Sequence, residues 1–166
     1  MVIKTTKYNT YKNGRKLLGL ADSIDMPEFT AKTEDAEVPG GTVSIPIPGQ
    51  FEAAEMTVGF QQFYGDIFSM MNTRETVALT LRIANEVVNG VGNISMVPTR
   101  ISVVGIPKSI SPGTYKNGTS TGASVALGLH YLYIEQNGMP QLEIDYLNGV
   151  YRVNGRNMLA DIDSMT

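Results

Sequence analysis

LHYLYIEQNGMPQLEIDYLNGVYRVNGRNMLA, residues 129–160, is the stretch of sequence that decides the fold. Asn137-Gly138 lies between two segments that are rich in apolar and aromatic residues. Both residues tolerate positive φ, which a two-residue turn matching the natural twist of strands requires. The stretch is therefore predicted to form a hairpin followed by a third short strand.

The two strands of this hairpin distribute their apolar residues differently. On the return strand Leu142, Ile144 and Tyr146 point one way, while Glu143 and Asp145 point the other. The outgoing strand is apolar or aromatic on both faces, and a strand that is wet on one side does not need that. We expect the chain's own core to cover one face and another subunit to cover the other. The candidate residues of these inter-subunit strands are Tyr131, Tyr133, Ile144 and Tyr146.

The composition indicates one domain that associates with itself. The chain has 166 residues, and 42% of them are apolar, which is enough for a sizeable core. Only 17% are charged, against about 25% in typical domains, so more surface is expected to be covered than in a monomer. A formal net charge of -3 argues against a basic surface that grips nucleic acid.

Several classes of site and location are excluded by what the sequence lacks. There are no cysteines, so disulfides, thiolate metal sites and cysteine nucleophiles are absent. The polar start lacks the apolar core of a signal peptide, and no apolar run approaches the ~18 residues of a membrane span. We therefore expect a protein that is made in a cytoplasm and does not insert into membranes.

Two segments of the N-terminal part are predicted to lack regular structure. Residues 1–15 are predicted to be a loose arm, and residues 16–24 a strand. Residues 34–50 hold three prolines and three glycines, which disfavour a ladder, so a long mobile loop is expected. Its apolar residues would not be needed if the loop always faced water. The members of this candidate contact loop are Val38, Gly40, Gly41, Val43, Ile45 and Ile47.

The middle and end of the chain carry clearer periodic patterns. Residues 52–58 alternate, and residues 60–71 have an apolar stripe of helical period that predicts a helix packed on the sheet. Residues 77–83 and 100–106 are predicted strands, with Pro107 closing the second. Residues 85–100 and 109–123 contain predicted loops, and residues 157–166 a tail with a short helical turn.

Nothing in the sequence indicates an enzyme. The segment from Gly118 to Ser124 resembles a phosphate loop but lacks the Lys-Ser/Thr end that supplies the chemistry. His130 is the single histidine and has no evident nucleophile or orienting partner. Glu143 and Asp145 could be paired carboxylates or a cation site, but an exposed or lumen-facing sheet surface is the better explanation, because paired catalytic carboxylates normally come from separate elements around a cleft. No catalytic residue, cofactor or metal is expected.

The order of several short motifs resembles the major tail tube proteins of contractile-tailed phages. The similarity runs from about residue 15 to residue 160 and departs in the two loops at 85–100 and 109–123. No single motif is diagnostic, but their order and spacing match. The motifs are Leu18-Gly19-Leu20-Ala21, residues 24–30, Gly40-Gly41, residues 52–59, the Phe-rich helix, Leu142-Glu143-Ile144-Asp145, Val153-Asn154-Gly155 and Leu159-Ala160.

The resemblance implies a mainly β fold, an antiparallel β-sandwich or half-barrel with one packed helix, in a single tail-tube domain spanning residues 1–166. It implies hexameric rings that stack into the inner tube of a virion tail, with subunits held in the host cytoplasm during assembly. The implied partners are further copies, tail sheath, tape measure, baseplate tube-initiator and tail terminator proteins. Residues 34–50 become an extended inter-ring loop. DNA would pass an acidic bore without specific binding, and the candidate lumen acids are Glu52, Glu55, Glu143 and Asp145.

Three other interpretations of the sequence stay open. The same tube would serve a headless tail-like bacteriocin or a secretion system, and capsid genes nearby would distinguish these from a phage. From another class, a β-sandwich carbohydrate-binding module would need an exposed aromatic platform, for which the candidates are Tyr131 and Tyr133. A small hydrolase using Glu143 or Asp145 would lose activity when the carboxylate is substituted.

Overall fold

The computed structural model describes residues 2–12, 15–16, 21–61, 68, 70, 72–119 and 122–166. Within these ranges the chain is mainly β and its strands pair antiparallel, as the sequence predicted. The elements are β1 Val2–Lys12, β2 Arg15–Lys16, β3 Ala21–Asp25, β4 Ala31–Val38, β5 Gly41–Phe51, β6 Glu55–Phe60, β7 Val77–Val88, β8 Ile94–Ser111, β9 Ala123–Gln136, β10 Met139–Asp145, β11 Val150–Val153, β12 Arg156–Asn157 and α1 Ala160–Met165.

One large sheet and one separate hairpin make up the β structure. The main sheet has the order β12-β11-β10-β9-β8-β7-β1-β2, and β9 is the strand at which it branches. The first half of β9, residues 123–128, pairs with β6, which in turn pairs with β3. The second half, residues 131–136, pairs with β10. β4 and β5 pair only with each other among the described strands.

The core lies on one face of the main sheet, between the long strands and the branch formed by β6 and β3. On β7 every second residue, Val77, Leu79 and Leu81, is buried, and the residues between them are not. Met56 and Val58 of β6 are fully buried against the same cluster. The predicted alternation of residues 52–58 and 77–83 is therefore confirmed, because each strand has one face toward this core.

A β-bulge at His130 explains how β9 keeps its apolar residues in the core along its whole length. Gly105 of β8 pairs with Leu129, whereas the next residue, Val104, pairs with Tyr131, so His130 is the extra residue. The bulge shifts the alternation by one position. Leu129 before it and Leu132 after it are therefore both buried on the core side.

The predicted hairpin and its third strand are confirmed. Asn137 and Gly138 have φ of 52° and 77°, the combination of a type I′ turn. β10 pairs with β9 on one side and with β11 on the other. The predicted helical turn near the C-terminus corresponds to α1.

The prediction of a ladder-free loop at residues 34–50 is wrong. These residues form most of β4 and β5, whose register runs from Val38 opposite Gly41 to Ala31 opposite Phe51. The prolines do not prevent the ladder because a two-stranded hairpin has two free edges, where a missing N–H donor is tolerated. An irregularity beyond the pair of Thr33 and Pro46 absorbs the extra residues of β5.

The prediction of a loose arm at residues 1–15 is also wrong. β1 pairs with β7 along its whole length, from Val2 opposite Val88 to Lys12 opposite Leu79. The β-branched and aromatic residues of β1 favour a half-buried position in a sheet, although the segment as a whole is polar. Thr10, for example, is 3% exposed.

β8 is longer than predicted, and it carries proline within the strand. It continues through Pro98 and Pro107 to Ser111, so Pro107 does not close it. The hairpin of β7 and β8 occupies most of the predicted loop at 85–100. The helix predicted for residues 60–71 lies mostly outside the described residues, although Phe60 belongs to β6 and Met70 is buried. No helix in the described part of the chain is long and apolar enough to span a membrane.

Candidate functional site

The base of the β4–β5 hairpin is fixed to the main sheet by aromatic residues. The ring of Phe51 meets that of Tyr151 edge to face at 5.1 Å, and Phe29 packs against both Phe51 and Tyr146 at 6.3 and 6.5 Å. The hydroxyl of Tyr146 donates a hydrogen bond to the carbonyl of Glu52 at 3.0 Å. These contacts fix the orientation of the hairpin relative to the main sheet.

The distal part of the hairpin has an apolar face and an acidic face. Alternation along β4 places Ala36 and Val38 on one face, opposite Val43 and Gly41 of β5, and Ile45 lies on the same side opposite Glu34. Val38, Val43 and Ile45 are 42–50% exposed. The other face carries Asp35 and Glu37, and the hydroxyl of Ser44 donates a hydrogen bond to Asp35. An exposed apolar face of this kind marks a contact surface.

A second candidate surface is the face of the main sheet that points away from the core, called here the open face. It carries cross-strand ion pairs. Arg100 of β8 meets Glu135 of β9 at 3.1 Å, and Lys108 meets Glu55 of β6 at 3.1 Å. The remaining pairs in the described part of the chain, also on this face, are Arg152 with Glu143 and Lys4 with Glu86. Positive and negative charge are therefore nearly balanced there.

The four predicted lumen acids are placed by the structure in different surroundings. Glu55 and Glu143 lie on the open face in ion pairs, and Glu52 is exposed just before β6. Asp145 organises the turn after β10. Its carboxylate accepts hydrogen bonds from the backbone N–H groups of Leu147 and Asn148 and from the side-chain amide of Asn148. The bond from the Asn148 side chain is the main cause that lowers the pKa of Asp145 below its ordinary value of 3.8.

The four residues predicted to form inter-subunit strands also lie in two different surroundings. Ile144 is 3% exposed, and Tyr146 packs against Phe29, so these side chains lie within the subunit. Tyr131 and Tyr133 are half-buried on the open face, and their hydroxyls approach Glu143 and Glu135 at 3.5 and 3.2 Å. Burial and then the neighbouring carboxylate raise the pKa of both tyrosines. Half-buried rings that are tied to carboxylates do not form the exposed platform of a carbohydrate-binding module.

Sequence reasoning missed a basic patch on the open face. Arg82 of β7 lies directly opposite Arg100 of β8, and Lys7 lies on the neighbouring strand β1. Together with Met96 and Pro98 they line a cavity of about 410 Å³. The guanidinium of Arg82 stacks 5.1 Å from the ring of Tyr11. The placement of β1 in the sheet, which the sequence did not predict, brings Lys7 to this patch.

The described residues contain no group of three or more His, Asp or Glu side chains that could hold a metal ion. His130 lies at the β9 bulge, and its Nδ1 is buried without a hydrogen-bond partner in the described part of the structure. Asp145 lies within electrostatic reach of His130, but among the described residues no contact given above places a nucleophile beside this histidine. The geometry supports contacts between proteins.

Comparison with known proteins identifies a family that covers nearly the whole chain. The family model of the phage tail tube protein FII matches residues 4–164. The chain is 29% identical over 164 residues to the major tail tube protein of Serratia phage KSP20, covering 95% of this chain and 91% of the relative. It is 24% identical over 154 residues to the tail tube protein of Escherichia phage P2, covering 91% and 89%. The family model matches nearly the whole chain, and the fold is mainly β as expected. This protein therefore belongs to the phage tail tube protein FII family and has a structural role in a tail tube.

Proposed function

We propose that this protein forms hexameric rings that stack into the inner tube of a contractile phage tail, through which DNA leaves the particle. The observation that carries the proposal is the exposed apolar face of the β4–β5 hairpin, held away from the subunit by a packed aromatic base. Such a face on a chain of this family needs a further copy to cover it. Sheath, tape measure, baseplate tube-initiator and terminator proteins would be the other partners in the virion tail.

In this proposal the hairpin supplies the contact between rings. Burying Val38, Val43 and Ile45 would contribute roughly half of ~1.5–3 kcal/mol each, because each side chain is already about half covered. The hairpin is paired before it docks, so it does not bear the full ordering cost of ~1–2 kcal/mol per residue. A single contact stays weak, and the contacts of a whole ring add up to cooperative stacking.

The open face is proposed to line the bore, with Tyr131 and Tyr133 among its residues. Its cross-strand ion pairs leave little net charge outside the basic patch of Lys7, Arg82 and Arg100, so over most of the wall a phosphate backbone has no strong attraction and can slide. The four predicted acids would contribute to this balance through pairs such as Glu143 with Arg152. The same wall would suit a tail-like particle that carries no DNA.

Electron microscopy of the purified protein tests the proposal directly. Hollow tubes with six-fold symmetry, formed without cofactor or metal, are the expected result. A protein that stays monomeric at high concentration and in the presence of the partner sheath protein would contradict it.

A further inference from the structure

Within the described part of the chain, the outer edge of β1 is open along part of its length. β1 pairs with β7 on one side, and β2 pairs on the other side only with Tyr11 and Lys12. Among the described strands none pairs with residues 3–7 on that side. An edge with unpaired N–H and C=O groups is a template for an added strand.

The two sides of the sheet next to this edge differ in chemistry. On the open face the edge carries Lys4 and Lys7, with Arg82 on the adjacent strand. On the core side an apolar groove of about 390 Å³ runs beside β1 and is bounded by Met26 and Ile83. Met26 is 43% exposed, so the groove is uncovered in the single subunit. A strand added here would meet cations on one side and an apolar groove on the other.

The β4–β5 hairpin has the matching two-sided pattern. Asp35 and Glu37 share one face of β4, and Ala36 and Val38 share the other, with Glu34 on that same face nearer the base of the hairpin. Side chains directly opposite each other on neighbouring strands lie ~4.5–5.5 Å apart, which allows each face to contact its counterpart on β1. The carboxylates would lie beside the lysines while the apolar residues extend over the groove.

The hairpin has one edge that is suited to pairing. β5 carries Pro46 and Pro48, and each lacks the N–H that an added strand would need. β4 has no proline between Ala31 and Val38. β4 is therefore the edge of the hairpin that can continue a ladder.

We propose that β4 of one copy adds to the edge of β1 of a neighbouring copy, so that the hairpin continues the main sheet of its neighbour. This inference rests on the proposed function, since it names the surface that receives the hairpin during assembly. The lysines and the irregularity of β1 between Thr5 and Lys7 discourage pairing of β1 with a second β1. The acidic strand β4 does not meet this repulsion between lysines, so β1 pairs selectively with β4 and not with a second β1. Each copy gives one hairpin and accepts one, the head-to-tail arrangement that builds rings or filaments.

Disulfide trapping tests the pairing, because the chain has no cysteine of its own. We would combine Lys4→Cys or Lys7→Cys with Asp35→Cys or Glu37→Cys, assemble the protein and oxidise it. The matched controls place the second cysteine at Ser44 or Thr42, which lie opposite 35 and 37 on β5. Those positions are one strand further from β1, so their Cα atoms lie ~10 Å away and beyond the reach of a disulfide.

Covalent dimers are expected with the β4 positions and not with the β5 controls. Dimers with the controls alone would make β5 the added strand and overturn the proposal. Tubes without any trapped dimer would overturn it while leaving the tube function intact. Absence of tubes from the unmodified protein would overturn both.

A charge exchange provides a second readout that does not need cysteines. Lys7→Glu and Glu37→Lys should each cause a loss of assembly, measured by light scattering, while circular dichroism shows the subunits folded. The double variant Lys7→Glu/Glu37→Lys should restore assembly if these residues face each other. Two single losses that simply add in the double variant would contradict the pairing.

Discussion

The backbone of Gly49, at the base of the hairpin, lies directly against the side chain of Leu159, which precedes α1. A Cβ at position 49 would lie 2.6 Å from Cδ1 of Leu159, and Gly49 has a φ of +71°. Leu159 is 8% exposed. The hairpin and the C-terminal segment are therefore fixed to each other through one glycine.

Gly49→Ala should destabilise the subunit by roughly 2–4 kcal/mol, from left-handed backbone strain and the overlap with Leu159. Chemical denaturation measures the change. Gly40→Ala is the matched control, since a Cβ there meets nothing within 4 Å. Adding Leu159→Ala should recover part of the loss, and strict additivity of the two changes would contradict the contact.

Deletion of His130 should prevent folding, whereas His130→Ala should change stability by no more than ~1 kcal/mol. The deletion removes the extra residue of the β9 bulge and turns either Leu129 or Leu132 out of the core. Circular dichroism and thermal unfolding compare the two variants. A folded deletion variant would show that the bulge is dispensable.

Asp145→Asn should reduce the free energy of unfolding near neutral pH. In the acid range the stability of this variant should depend less on pH than that of the unmodified protein. The folded pKa of Asp145 is lowered, so its contribution is present above the unfolded value of about 4 and is lost as pH falls through the folded pKa. The difference between the variants should therefore shrink below about pH 4, and solvent screening keeps it under ~1 kcal/mol. A constant difference from pH 7 to pH 2 would contradict this role.

Glu55→Lys combined with Glu143→Lys should leave subunits folded, because each exposed ion pair contributes less than ~1 kcal/mol. If the open face lines the bore, DNA release should slow and depend strongly on salt. The control exchanges the charges, Glu55→Lys with Lys108→Glu, and keeps the net charge of the wall. Release that is equally fast in all variants would place the open face elsewhere in the tube.

Replacing residues 35–44 by Asn-Gly should give a folded monomer that does not elongate. Glu34 and Ile45 are already paired across the hairpin, and Ile45 has the N–H that closes a two-residue turn, so the turn can join them without disturbing the aromatic base. In the intact chain, hydrogen exchange of amides 33–46 should be fast in the monomer, because an isolated two-stranded hairpin is marginally stable. Tubes formed by the shortened chain would contradict an inter-ring role, as would amides that exchange equally fast after assembly.

The sequence predicted well where local chemistry and burial agree. Asn137-Gly138 specifies its own turn, and the alternation of β7 follows directly from having one face on the core. The resemblance to tail tube proteins was confirmed by the family match, because it used the order of many short motifs.

The sequence failed where distant residues decide the structure. β1 is a strand because β7 offers it an edge, and Val2 lies opposite Val88 in the register. β4 and β5 are strands although β5 contains prolines. Nothing in the described structure requires backbone N–H groups on their outer edges to donate hydrogen bonds. The open-face ion pairs join strands that are far apart in the chain, as Lys108 and Glu55 do. Spacing along a single sequence carries no direct sign of such pairs.

The pairing of β1 with β7 also sets an order for biosynthesis. The Val2 end of β1 has no β7 partner until Val88 has emerged from the ribosome, because these two residues pair. Closing a loop of that length is slow compared with forming the local hairpins that follow. The β1 edge, with Lys4 and Lys7, therefore becomes a finished surface only after the first half of the chain, through Val88, has been made. Until then a nascent subunit does not offer this edge for pairing.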